Sequence, residues 1–242
     1  MTHWYKKWFD TKYYHLLYKN RDYLEATNFI DNLLKKIEHT KKTQFLDLAC
    51  GSGRHAIYLN KKGFIVDGID LSQKSLEIAN KNQSKTLHFK QADMRKFKAH
   101  NKYDIILNLF TSMGYFENKK DNLKVFQNID YSLKKGGYFI IDFLNSEKII
   151  TSKNNTYETK KIKNILFQIK KYHNNQHVFK KISITDKENK SIFTEKVQLL
   201  TKHDFLSFSK NTNMKLIEIF GNYDLSVFNS NSNRLIMIFK KI

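Results

Sequence analysis

Between residues 44 and 143, short apolar runs alternate with longer amphipathic ones. The apolar runs fall at 44–48, 64–69, 87–90, 103–109 and 138–143, too short for core helices and right for strands. The run 103–109 is almost wholly apolar, as expected of a strand covered on both faces. The intervening stretches read as helices. One spans 54–62 and stops at Gly63. A second runs for about ten residues after Ser72, a good N-cap with Ser75 three residues on. A third covers 119–133 and leads into the turn Lys134-Lys-Gly-Gly137. Regular strand–helix alternation predicts a parallel sheet with right-handed crossovers.

The flanks differ. Residues 1–38 read as helical and rich in aromatics, with Leu24, Phe29, Ile30, Leu33, Leu34 and Ile37 at helical spacing. After the fifth strand, 161–172, 177–186 and 191–200 alternate apolar and polar positions between turn sequences, which predicts an antiparallel three-stranded unit. A helix over 202–213 and strands at 214–220 and 234–240 complete the chain. The resulting division is a helical cap (1–40), an α/β core (41–148), an antiparallel insert (149–201) and a C-terminal helix with two strands (202–242).

Composition narrows the class. At 242 residues with 40% hydrophobic content the chain can bury one substantial core. No apolar run approaches the ~20 residues of a membrane span, and the first ten residues mix charges with aromatics, unlike a secretory signal. A single cysteine, Cys50, precludes an intrachain disulfide, so a reducing, cytoplasmic location is the expectation. The net charge of +20 raises nucleic acid as a partner. That charge is divided evenly, +10 in residues 1–150 and +10 in 151–242, with no dedicated basic arm. Lysine outnumbers arginine 39 to 4, whereas phosphate and base recognition favours the arginine fork. Compositional drift accounts for the charge more simply.

The chemistry-bearing stretch is Leu46-Asp-Leu-Ala-Cys-Gly-Ser-Gly-Arg-His-Ala56. Glycines between a strand and a helix let backbone approach a ligand closely. The spacing Gly51, Gly53, Ala56 also satisfies a dinucleotide fingerprint. Asp47 argues against that reading, because a carboxylate within the first strand opposes a pyrophosphate and favours a cationic ligand. Here the chain resembles the class I S-adenosylmethionine-dependent methyltransferases. The resemblance implies a Rossmann-like fold with a seven-stranded, mostly parallel sheet closed by 202–242, into which the antiparallel unit (149–201) is inserted as a substrate lid. It also implies a cofactor site. Asp47 and the loop Ala49, Cys50, Gly51, Ser52 and Gly53 stand where the family has an acid and a Gly-x-Gly-x-Gly bend, with alanine replacing the first glycine. Asp70, followed by Leu71, stands where an acid takes the ribose hydroxyls. Ala92, Asp93 and Met94 match the adenine pocket, and Leu109 the end of the fourth strand.

The resemblance implies methyl transfer to a small or medium-sized acceptor at nitrogen or oxygen, without a metal, by a monomer or homodimer. An RNA methyltransferase and a catalytically silent cofactor-binding protein are the alternatives that stay open. No catalytic residue is assigned; Tyr115, Asn108 and His15 are candidates beside the pocket residues Tyr14 and Phe110. No Asn-Pro-Pro-Tyr-type motif follows the fourth strand, and the chain contains no proline. Arginine's scarcity marks Arg54, Arg95 and Arg21 as places where a planar fork is required, and Arg21 is expected to hold the cofactor carboxylate or an acidic substrate.

Overall fold

The structure, a computed structural model, describes residues 4–19 and 23–242. Strands β1 (Gln44–Leu48), β2 (Ile65–Asp70), β3 (Leu87–Gln91), β4 (Tyr103–Asn108) and β5 (Leu133–Leu144) are mutually parallel where they pair, and β10 (Met214–Phe220) and β11 (Arg234–Lys241) close one edge antiparallel. The order across the sheet is β10-β11-β5-β4-β1-β2-β3. The seven-stranded mostly parallel sheet is therefore present. Its direction of winding reverses between β1 and β4, and in such open sheets ligands gather at the carboxyl ends beside that point.

Alternation within the strands divides the core into two layers. Phe45, Val66, Ile105, Leu107 and Ile140 face helices α3 (Tyr23–Leu34) and α4 (Arg54–Lys61), meeting Phe29, Ile30, Leu33, Ala56 and Leu59. Leu46, Leu48, Ile106, Phe139 and Ile141 face α6 (Lys119–Ser132) and α8 (Lys202–Ser209), meeting Phe126, Ile129, Phe205 and Phe208. Because both faces are covered, the central strands carry apolar residues at nearly every position. Helix α5 (Gln73–Ala79) follows β2, with Ser72 capping it by accepting the Ser75 N–H, and the short α7 (Ser146–Thr151) follows β5.

Three expectations change. The insert has four strands, β6 (Thr156–Ile162), β7 (Ile165–His173), β8 (His177–Asp186) and β9 (Asn189–Gln198), in that order. The additional one, β6, is an edge strand exposed along nearly all its length; with neither face buried it has no alternation to read. Its turn to β7 passes through Lys163 at a φ of 55°, without the glycine that usually signals a hairpin. Second, the N-terminal region is not one helix. It comprises α1 (Trp4–Trp8), α2 (Lys12–Leu17) and α3, and the break between the first two falls where Thr11 restarts the chain as an N-cap that accepts the Tyr14 N–H. Third, α8 ends at Ser209, before a turn in which Thr212 bonds back to the Ser209 carbonyl.

Helices α1 and α2 pack on the inner face of the insert. Trp8 joins Phe167, Ile169, Ile182 and Ile184 in a third apolar cluster, and its indole N–H donates to Glu195 at 2.7 Å. Tyr18 donates to the same carboxylate at 2.7 Å, and Lys12 bridges to Asp186 at 2.8 Å. Among the described residues no helix is long and apolar enough to cross a membrane.

Candidate functional site

The glycine-containing bend between β1 and α4 passes through left-handed backbone three times, at Ala49 (φ 64°), Gly51 (φ 56°) and Gly53 (φ 81°). The two glycines serve different ends. A Cβ at Gly51 would meet nothing within 4 Å, so this position keeps the bend open, whereas one at Gly53 would lie 2.7 Å from the Phe89 ring. Ala49 adopts the left-handed conformation despite its methyl group, which costs about 1–2 kcal/mol. The bend is tied to β2 by Cys50 N–H to the Ile69 carbonyl (2.9 Å) and Gly51 N–H to Asp70 Oδ2 (2.8 Å).

The bend borders a cavity of about 610 Å³. Ala49, Cys50, Gly51 and Ser52 form one wall, Asp70 and Leu71 the next, Ala92, Asp93 and Met94 a third, and Leu109, Phe110 and Tyr115 the fourth. His15 and Tyr14 come down from α2, with Tyr5 and Phe9 from above. Tyr115 sits among Trp4, Tyr5 and Phe9 at ring-centroid separations of 5.1, 6.2 and 5.8 Å. Asp47, Gly53 and Asn108 stand behind the wall rather than on it, and Arg21 lies outside the described residues.

The acids differ in state. Asp47 is buried, and burial pushes its carboxyl up to about 7, with Asp70 adding to the rise and the Ala56 N–H and Arg54 opposing it. Its Oδ2 is buried without a hydrogen-bond partner. The neighbouring Asn108 donates to the Leu48 carbonyl at 2.7 Å, tying β4 to β1, and leaves its own Oδ1 without a partner. These two unfilled buried acceptors lie at the winding switch, directly behind the bend, and leave negative potential there that favours a cationic ligand. Asp70 accepts backbone N–H groups from Gly51 and Ser72, both at 2.8 Å; burial raises its carboxyl above the ordinary range, and each oxygen retains a further lone pair.

Asp93 is more occupied than the sequence implies. Burial opposes its ionisation, but the Arg95 side chain overcomes it and holds the carboxyl below the usual range. Arg95 donates from Nε (3.0 Å) and Nη2 (2.6 Å), reaches Asp121 at 3.2 Å, and lies over Phe116 at 5.0 Å. That fork is the bidentate use of arginine anticipated from its scarcity. Cys50 is buried with a thiol pushed well up by burial, which suits a small loop residue and not a nucleophile. His15 is bonded to the Phe9 carbonyl; burial lowers its pKa, and its Nε2 is buried without a partner.

The residues fit S-adenosylmethionine. A bare bend, acids at the ends of β1, β2 and β3, and an apolar corner at Leu71, Ala92 and Met94 suit a cationic nucleoside. The same acids would repel a pyrophosphate. The profile of the methyltransferase domain family matches residues 39–198. The chain belongs to that family. Its fold is the class I S-adenosylmethionine-dependent methyltransferase fold. The Bacillus subtilis (strain 168) protein YqeM, whose name places it among methyltransferases, is 36% identical over 112 residues, 45% of either chain. A dTDP-3-amino-3,4,6-trideoxy-alpha-D-glucopyranose N,N-dimethyltransferase of Streptomyces venezuelae is 28% identical over 132 residues, 53% of this chain and 54% of that one. The chain thus spans about half the length of the curated relatives it matches. The solved structure of a S-adenosylmethionine-dependent methyltransferase from Clostridium acetobutylicum ATCC 824 aligns over 94% of this chain and 95% of that one, with a TM-score of 0.79 at 22% identity.

Sequence reasoning missed one group beside the cavity. Phe110 and Thr111 both have left-handed backbone, at φ 68° and 58°, and Asp142, Tyr223 and Arg234 surround them. The available signals were Asp142 inside an apolar strand and the fourth arginine of an arginine-poor chain.

Proposed function

We propose that this chain transfers the methyl group of S-adenosylmethionine to a nitrogen or oxygen of a small or medium-sized acceptor. The observation that carries the reading is one continuous cavity with acids and a bare bend on one side and an aromatic roof on the other. In this reading Asp47 and the bend face the amino-acid end of the cofactor, Asp70 the ribose, and Asp93, Met94, Ala92 and Leu71 the adenine. Arg21 is assigned the cofactor carboxylate or an acidic acceptor. The roof over the core (41–148 and 202–242) comes from the cap (1–40), whose Tyr5, Phe9, Tyr14 and His15 line the cavity, and the insert (149–201) seats that cap from behind; this arrangement covers an acceptor of limited size. The sugar dimethyltransferase among the relatives supports a small acceptor.

The bound cofactor supplies an electrophilic methyl group on a good leaving group. The chain's task is alignment and exclusion of water, and proximity alone supplies roughly 7–11 kcal/mol. Tyr115 and the rings around it form an aromatic wall. His15, neutral because burial lowers its pKa, offers an acceptor lone pair to a ligand hydroxyl or to an acceptor that arrives protonated. Asn108 serves by fixing β4 against β1. A reducing, cytoplasmic location fits the lone Cys50.

The test is transfer of labelled methyl groups from S-adenosylmethionine to fractionated cell extract. Label in the small-molecule fraction supports the proposal. Label confined to RNA, with a steep salt dependence, would replace it with the RNA reading, and cofactor binding without transfer to any fraction would leave a silent binding protein.

A further inference from the structure

Strand β4 ends in a segment that its own sequence does not favour. Phe110 and Thr111 are consecutive non-glycine residues in left-handed backbone, and Thr111 is β-branched, the type least suited to it. Such a conformation persists only where its surroundings over-determine it, and here the restraints are explicit. Asp142, buried on β5, accepts the Phe110 N–H on Oδ2 at 3.0 Å, and its carbonyl accepts the Thr111 N–H at 3.2 Å. Arg234, on β11 beside it, donates through Nε to Asp142 Oδ1 at 2.7 Å and through Nη2 to Thr111 Oγ1 at 3.1 Å. Tyr223 donates to Asp142 Oδ2 at 3.0 Å.

The Phe110 ring is held as well. The Arg54 and Arg234 guanidinium carbons lie 5.5 and 5.9 Å from its centroid. Arg54 opens α4 immediately after the bend, and Leu109, Phe110 and Ser112 line the cavity. The restraints on the 110–111 backbone, from Asp142, Tyr223 and Arg234, thus lie outside the cavity, while the Phe110 ring they place lines it. A lysine at 234 would keep the charge but has no fork to span Asp142 and Thr111 together, and arginine stands there in a chain with 39 lysines.

We propose that Asp142 and Arg234 are positioning residues, which hold Phe110 and Thr111 in left-handed backbone so that the end of β4 completes the cofactor cavity. The inference rests on the reading of that cavity as an S-adenosylmethionine site. Neither residue touches the cofactor; both act through the 109–112 segment.

The experiment uses the full chain and S-adenosylhomocysteine in titration calorimetry, at a temperature well below each variant's unfolding midpoint. Arg234→Lys should weaken binding about tenfold, the order of one lost charge-assisted hydrogen bond. Adding Thr111→Gly to Arg234→Lys should restore most of that loss, because glycine adopts the required backbone unaided. A residue that merely stabilised the fold would show a lower unfolding midpoint, unchanged affinity and no rescue. Thr111→Val, which keeps the shape and removes the Arg234 acceptor, gives a second reading should the lysine variant fail to fold, and it too should bind more weakly. Wild-type affinity in Arg234→Lys or Thr111→Val, or a double variant as weak as the single, overturns the positioning role. A wild-type chain that binds no S-adenosylhomocysteine overturns both this inference and the cavity reading.

Discussion

Replacing Asp47 by Asn removes the negative charge beneath the cofactor bend while keeping size and an acceptor oxygen. In the free protein, burial places the Asp47 carboxyl at about 7 with one oxygen unpartnered. A bound cation favours the ionised form, so binding must draw the proton off. Ionisation of a group at about 7 is one part in eleven at pH 6 and three in four at pH 7.5, so affinity should rise roughly eightfold between them and level off above. Asp47→Asn should lose that dependence. At pH 7.5 it should bind about 10–150-fold more weakly, the roughly 1.5–3 kcal/mol of a hydrogen bond to a charged group. Titration calorimetry with S-adenosylhomocysteine in two buffers of different ionisation enthalpy measures both quantities, including proton release on binding at pH 6. The same shift has a consequence for folding. The folded pKa is raised, so the free folded state holds a proton that the unfolded chain has released above about pH 4. This contribution to stability therefore falls as pH rises from about 4 to about 7 and is flat above. An Asp47→Asn variant with the wild-type pH slope and affinity would refute the reasoning.

Three further substitutions test other parts of the account. Ala49→Gly should raise stability by about 0.5–1 kcal/mol in chemical denaturation, because it relieves left-handed strain at some cost in chain entropy; a loss of stability would contradict the strain. Gly53→Ala drives a Cβ against Phe89 at positive φ and should cost about 2–4 kcal/mol, so a thermal midpoint within 1 °C of wild type would argue against that packing. Trp8→Ala removes the buried ring that seats α1 on the insert, where it lies 4.7 Å from Phe193. It should cost about 3–5 kcal/mol of local stability and speed amide exchange in residues 4–18, and unchanged exchange there would contradict the role of the roof.

The bend and the acids that border the cavity were legible because their determinants are local. Asp47 to Ala56 is one uninterrupted segment, and parallel strands buried on both faces announce themselves as apolar runs. Asp70 and Asp93 each fall at the end of such a run, so their convergence follows from strand order. The cap and the insert were less legible. Strand β6 is exposed on both faces and offers no pattern, and the break at Thr11 lies in a run of aromatics that masks an N-cap. The clamp on Phe110 and Thr111 pairs Asp142 with Arg234, 92 positions apart. No local periodicity encodes such a pair, although an acid in the middle of β5 was its trace. The Arg95 fork on Asp93, two residues away, was visible as a rare arginine but not as a partner for that acid.

The central claim is that the acids at the tips of β1, β2 and β3 and the bare bend together hold S-adenosylmethionine. A crystal structure of the chain with S-adenosylhomocysteine tests it most directly. The account predicts the ribose hydroxyls on Asp70, the adenine against Leu71 and Met94, and the amino group above Asp47. A nucleoside bound elsewhere, or that cavity empty at saturating ligand, would contradict it.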